Sequence, residues 1–139
     1  MKHPLEVACG IALLSMILVG CGDARRQEVA GSVTLDGQPL EAGYIEFRPL
    51  PGTSGPTAGA EIVEGYYRVP PHQGTFAGRF AVRILASRPS TPIVRDAETG
   101  EPAPGREQYL PARYNEATEL EADIQPGGGP YDFQLTSST

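Results

Sequence analysis

Beyond residue 28 the sequence alternates between apolar and polar positions in short runs that end at turn-forming residues. The first run, VAGSVTL at 29–35, is followed by the turn signal Asp36-Gly37, and the run YIEFR at 44–48 ends at Pro49. A period of two residues is typical of half-buried β-strands, and Asp-Gly and Pro are typical of strand ends. Both runs are therefore predicted to be strands with one buried face.

The same pattern continues to the end of the chain. The segment 58–70, AGAEIVEGYYRVP, has the pattern of a hairpin with Glu64-Gly65 at its turn. Strong alternation follows at 79–86, and 120–124 and 131–135 alternate on either side of the turn-forming run GGGP. About seven strands and no helix are predicted for residues 29–136, which favours an all-β fold of two packed layers, a β-sandwich.

One segment, residues 87–108, does not alternate. Its sequence, SRPSTPIVRDAETGEPAPGREQ, contains four prolines and two glycines, and Ile93-Val94 is its only pair of branched apolar residues. Such a composition predicts a long loop. Long loops in compact domains are either functional or disordered, so this one is interpreted as a flexible solvated excursion or as a binding loop.

The first 28 residues have a different pattern. After Met1-Lys2-His3 comes the uncharged run VACGIALLSMILV at 7–19. It is shorter than the roughly 20 residues of a membrane span and fits the apolar core of a signal peptide. The residues at 18–21, LVGC, resemble the lipobox of bacterial lipoprotein signal peptides. This resemblance implies cleavage between Gly20 and Cys21 and lipid attachment to the Cys21 thiol.

The lipoprotein hypothesis divides the chain into a signal-peptide helix at 1–20, a polar tether at 21–28 and a folded domain at 29–136. Fatty acyl chains such as palmitate on Cys21 would anchor the protein stably, because two or more acyl chains give stable membrane binding whereas one gives only marginal binding. The expected location is the cell envelope, at the periplasmic face or the cell surface, and Gly22 after the cysteine favours the outer membrane. An ordinary cleaved signal peptide and a buried helix with a chance cysteine are the alternatives.

A second resemblance covers most of the remaining chain, from about residue 29 to residue 135. It is carried by the ordered segments GSVTLDGQPLEAGYIEFRPL, GYYRVPPHQGTFAGRFAVRI, YLPARY and YDFQL. Together they resemble small bacterial lipoproteins with a carboxypeptidase regulatory-like, transthyretin-like domain. The resemblance implies a seven-stranded Greek-key sandwich and brings no set of catalytic residues with it. It says little about function, because this fold supports many.

Charge and residue counts exclude several functions. A net charge of −6 and a pI near 4.9 argue against nucleic-acid binding, which requires a basic surface. Cys9 lies in the predicted signal peptide and Cys21 would be acylated, so the mature chain would have no disulfide, thiolate nucleophile or cysteine metal site. The only lysine is Lys2, which excludes lysine isopeptide crosslinks, and His72 is the only histidine beyond residue 20. A two-histidine iron site is therefore excluded, and no catalytic residue, metal or cofactor is predicted.

The leading expectation is a non-enzymatic, membrane-anchored envelope lipoprotein with a structural role or a role in binding protein or glycan. One alternative is a small-ligand or carbohydrate-binding module, for which Tyr44, Tyr66 and Tyr109 are candidate aromatic platforms unless they serve only in edge packing. With Ile93 and Val94 they form the candidate interaction surface. A less favoured alternative is a carboxylate-dependent hydrolase, or a calcium site, that uses the acidic clusters at 61/64, 96/98/101 and 119/121/123. The partner protein or polysaccharide and the oligomeric state are left open.

Overall fold

A computed structural model describes residues 25–138 of the chain. The predicted signal peptide, its Gly20–Cys21 cleavage site and the lipid-bearing Cys21 lie outside the described residues. Within residues 25–138, no helix is long and apolar enough to cross a membrane.

The described chain is all-β, as predicted, with short 3₁₀ turns at Pro71–Gln73 and Ala112–Tyr114 as its only helical elements. Its strands are β1 (Val29–Leu35), β2 (Gln38–Pro39), β3 (Ala42–Pro49), β4 (Ala58–Val63), β5 (Tyr66–Val69), β6 (Gly78–Leu85), β7 (Ser87–Arg95), β8 (Pro102–Gln108), β9 (Glu121–Ile124) and β10 (Phe133–Leu135).

Most strands belong to one curled sheet in the order β10-β1-β5-β4-β3-β6-β9, with β2 paired to the end of β1. The strands β3, β4 and β5 form a meander, and β6 returns to pair with β3, which is the Greek-key arrangement. Neighbours are antiparallel except β10, which pairs parallel with β1. β7 and β8 form a separate two-stranded sheet.

The sheet curls far enough to enclose its own core. Phe47 of β3 packs against Tyr67 of β5 and Phe133 of β10, with ring centroids 5.9 and 6.4 Å apart. Because β10 is the edge strand farthest from β3 on that side of the strand order, contact between them requires the two halves of the sheet to face each other. The prediction of a β-sandwich core is confirmed.

Local turn chemistry explains why the predicted hairpin at 58–70 forms. Glu64 and Gly65 both have positive φ, 50° and 83°, which is the type I′ conformation that joins two twisted strands. Asp36 and Gly37, at 51° and 79°, join β1 to β2 in the same way. Both turns were predicted from the sequence.

The prediction of an unstructured loop at 87–108 is wrong. These residues form a β-hairpin, called here the arm, in which Ser87 pairs with Gln108 and Arg95 with Pro102 across a bulge between Ser90 and Ile93. A two-stranded ribbon tolerates proline because each strand has a free edge, where a backbone N–H needs no partner. Its composition therefore resembles that of a loop although its backbone is paired.

The chain segment before β1 and the arm lie at opposite ends of β6. Gln27 N donates a 2.6 Å hydrogen bond to Thr75 O, three residues before β6 begins. The arm starts directly after β6, where Tyr109 N donates to Ala86 O. An eight-residue strand is about 26 Å long, so roughly that distance separates the two ends.

Candidate functional site

The residues proposed from sequence as an interaction surface do not form one patch. Tyr66 on β5 is 71% exposed and Tyr44 on β3 is 41% exposed, both on the outer face of the sheet. Tyr109 is half-buried at the base of the arm, with the Arg88 guanidinium 5.6 Å from its ring centroid. Ile93 and Val94, 67% and 49% exposed, lie on the arm. Tyr44 lines a cavity of about 500 Å³ and Tyr109 one of about 680 Å³, and Tyr66 lines a larger groove.

That groove, called here the β1 groove, has a volume of about 900 Å³. Its floor is the outer side of β1 at residues 30–32. Tyr66 and Arg68 of β5 line one side, and the segment 127–132, called here the wall segment, lines the other. Residues 26–28 line it where the described chain begins. Three chain segments far apart in sequence therefore build one open groove.

Gly31 allows the wall segment to lie close against β1, which sets the width of the groove floor. A Cβ at this position would lie 2.0 Å from the backbone oxygen of Tyr131, so any side chain would push the wall segment away from β1. Tyr131 N donates to Ala30 O at 2.9 Å, which fixes the two backbones side by side. The absence of a side chain at Gly31 thus permits the wall to approach β1.

Side-chain hydrogen bonds hold the wall segment in place. The Asp132 carboxylate accepts from the backbone N–H of Ser32 at 2.7 Å and from the Ser32 hydroxyl at 2.9 Å. The Tyr67 hydroxyl donates to Tyr131 O at 2.5 Å, and Gly127 N donates to Gln27 Oε1 at 3.1 Å. The groove is therefore formed in advance of any ligand.

Arg68 and Glu28 form an ion pair at the groove. Arg68 donates through Nη2 and Nε to one oxygen of Glu28, at 2.6 and 3.1 Å, and this hydrogen bond raises the pKa of the guanidinium. Burial raises the pKa of Tyr67, with a smaller contribution from the nearby Asp132 carboxylate, so Tyr67 stays a neutral donor. The groove presents a carboxylate, a guanidinium and an aromatic ring on a rigid base.

The groove was not predicted from the sequence. Gly31 was expected to be an ordinary strand position, and the run GGGP at 127–130 was expected to be a turn. A glycine inside a strand often marks the close approach of another backbone, so Gly31 carried a usable signal. The sequence does not show which segment approaches, because the contact joins residues 100 positions apart, as in Ser32 with Asp132.

The three acidic clusters lie on different elements: β4 and the turn after it, the tip of the arm, and β9 with the residues before it. Glu121 pairs with Arg79, and Asp96 accepts hydrogen bonds from Glu98 and Thr99 at the tip of the arm. Among residues 25–138, no three His, Cys, Asp or Glu side chains are grouped so that they could hold a metal ion. His72 lies in the 3₁₀ turn, where its carbonyl oxygen accepts from Arg26.

No protein-family model, curated protein or solved structure matches this chain at a significant level.

Proposed function

We propose that this protein is a non-enzymatic, membrane-anchored module of the cell envelope that presents its arm to a partner. The observation that carries the proposal is the placement of two features at opposite ends of β6: the segment that leads back to Cys21, and the arm. A lipid on Cys21 would therefore hold one end of the body at the membrane, and the arm would lie at the far end.

The reach of the tether supports this orientation. Arg26 is already fixed to the body, because its Nη1 donates to His72 O at 2.9 Å. Arg26 is five positions after Cys21, and at most about 3.6 Å per position gives a reach of about 18 Å. The end of the body that joins the tether would thus stay close to the bilayer, where the positive charges of Arg25 and Arg26 attract anionic headgroups.

The arm has the properties of a contact element. Its nine-residue first strand is about 30 Å long, and most of its side chains are exposed. Ile93 and Val94 are adjacent, so they face opposite sides of the ribbon, and Pro104 lies opposite Ile93. Exposed apolar side chains on a proline-bordered ribbon offer contact area, and the prolines oppose pairing with further strands.

Anchoring is tested by intact mass and detergent partitioning of the protein made in a bacterial host with lipoprotein processing. We expect the wild-type protein to partition into detergent at the mass of residues 21–139 plus acyl groups. The Cys21→Ser variant should remain unacylated and lose this partitioning. A wild-type protein that is free and unacylated would overturn the anchored part of the proposal.

Presentation of the arm is tested by chemical crosslinking in the same host, followed by purification of this protein. The double variant Ile93→Ser/Val94→Ser should lose the crosslinked envelope partner. The matched control is Val63→Ser, which removes an equally exposed apolar side chain from the body. Identical crosslinked products from both variants would show that the arm is not the contact element.

A further inference from the structure

We propose that the β1 groove binds a neutral glycan strand, with Tyr66 as the stacking platform and Asp132, Arg68 and Glu28 as hydrogen-bonding groups. The groove is separate from the arm, and its ligand binding does not depend on the lipid anchor. The inference rests on the groove's geometry, the pairing of its backbone and the balance of its charges.

Backbone pairing argues against an extended peptide as the ligand. Peptides that bind to sheets usually add a strand to an open edge. In the groove, β1 pairs with β5 on one side, and on the other Ala30 O and Ser32 N are bonded to Tyr131 N and the Asp132 carboxylate. The floor offers no free strand edge, so recognition must come from side chains.

Charge balance argues against an anionic ligand. The groove is lined by two arginines, Arg26 and Arg68, and by two carboxylates, Glu28 and Asp132. Arg68 is already paired with Glu28, and Arg26 donates to the carbonyl of His72. The two arginines and two carboxylates give the lining no net positive charge that would attract a phosphate or a uronic acid, and a neutral polar ligand does not depend on such a charge.

The aromatic and hydrogen-bonding groups of the groove are suited to binding a sugar. The C–H groups on one face of a pyranose pack against an aromatic ring, and its hydroxyls bond to carboxylate and guanidinium groups. Tyr66 is 71% exposed beside the charged pair, and Asp132 faces it across the floor from the wall segment. An open groove covers a ligand from one side only, which fits a chain of sugars better than a small molecule that needs enclosure.

The rigidity of the site favours binding. Hydrogen bonds of Asp132, Tyr131 and Tyr67 hold the wall segment to β1 and β5. The segment therefore needs little further ordering when a ligand binds. Preformed sites lose less conformational entropy on binding. The Asp132 contacts described use only Oδ1, and its second oxygen adds acceptor capacity at the groove.

The test is isothermal titration calorimetry of the full chain in detergent with three oligosaccharides: cellohexaose and chitohexaose, which are neutral, and hexagalacturonate, which is anionic. We expect at least one neutral hexamer to bind in the millimolar to micromolar range and to bind more tightly than hexagalacturonate. Tyr66→Ala should weaken this binding about 3- to 10-fold, which is the loss of affinity expected when one aromatic stacking contact is removed. Tyr66→Phe, which keeps the ring, should retain it.

Tyr44→Ala is the matched control, because Tyr44 is an exposed tyrosine on the same outer face but outside the groove. It should bind the neutral hexamer as the wild-type protein does, and so should Cys21→Ser. The proposal is overturned if neither neutral hexamer binds at millimolar concentration, if hexagalacturonate binds more tightly, or if Tyr66→Ala and Tyr44→Ala have equal effects. Loss of anchoring in Cys21→Ser with unchanged binding separates this test from that of the anchor.

Discussion

Gly31 is a residue at which one added carbon would change the groove. In Gly31→Ala the new Cβ would sit 2.0 Å from Tyr131 O, so the wall segment must move. A clash this close to a backbone atom should lower the free energy of unfolding by about 3 kcal/mol, the upper end of the usual cost of overpacking, as measured by urea denaturation. Gly37→Ala is the control: nothing lies within 4 Å, and only its positive φ, 79°, opposes the change, at about 1 kcal/mol. Equal losses would contradict the close approach.

Tyr67 connects the core to the wall segment through a single hydroxyl. Tyr67→Phe leaves Tyr131 O without this donor and should lower the free energy of unfolding by about 1–2 kcal/mol at neutral pH. Burial raises the folded-state pKa of Tyr67 above its ordinary value of 10.0. The wild-type stability that depends on neutral Tyr67 is therefore complete below pH 10 and declines as the pH rises beyond it.

The same pH range supplies the check on that prediction. Denaturation of both proteins between neutral pH and pH 11 should show a steeper alkaline loss of stability for the wild-type protein than for Tyr67→Phe. Parallel curves would mean that Tyr67 is not buried in its neutral form.

At the scale of elements, the arm tip depends on one carboxylate. Asp96 Oδ1 accepts from the backbone N–H groups of Thr99 and Glu98, at 2.8 and 2.9 Å, and from the Thr99 hydroxyl. These hydrogen bonds lower the folded-state pKa of Asp96 below its ordinary value of 3.8. Their contribution is complete above pH 3.8 and is lost as the pH falls through the lowered folded-state pKa.

Asp96→Ala should therefore loosen the tip without affecting the body. We expect faster amide hydrogen exchange at Glu98 and Thr99, with unchanged exchange in β6. Asp96→Asn, whose side-chain oxygen also accepts, should retain most of the protection. An unchanged exchange rate in Asp96→Ala would show that the Gly100 N to Asp96 O hydrogen bond suffices to hold the turn.

Elements with a buried face were predictable from sequence, and those without one were not. β1 was predicted with the observed bounds, and the turn at Glu64-Gly65 was predicted because its residues favour positive φ. The arm has no buried apolar side chain among those described, Gly105 being its one buried residue, so its residues carry no apolar period of two, and its prolines indicated a loop. The sheet's long-range pairing of β1 with β10 also leaves no local signal, which is why the groove was missed.

At the scale of the whole molecule, the core and the arm are separate in their packing. Phe47 is fully buried where the two halves of the sheet meet, so Phe47→Ala should lower the free energy of unfolding by about 3–5 kcal/mol. Chemical denaturation followed by circular dichroism measures this loss. A loss below about 1 kcal/mol would show that the halves of the sheet do not close on this ring.

The arm, in contrast, should not be needed for the rest of the domain to fold. Among the side chains that the structure describes, no buried apolar residue of the core lies between residues 87 and 108. Ser87 and Gln108 must be kept, because Gln108 Oε1 accepts from Ala86 N and Leu110 N, both at 3.1 Å. Replacing residues 88–107 with Asn-Gly, a sequence that closes two-residue hairpins, leaves these contacts in place.

The shortened protein should unfold cooperatively, with a free energy of unfolding within about 1 kcal/mol of the wild-type value, since a shorter connection costs less closure entropy. It should still bind the neutral hexamer in the β1 groove and lose the crosslinked partner. An unfolded product would mean that the arm stabilises the body through contacts other than its base. A folded product with an unchanged set of crosslinks would instead assign partner binding to the body, because the other exposed large apolar side chains among residues 25–138, Tyr44, Val63 and Tyr66, all lie on its outer face.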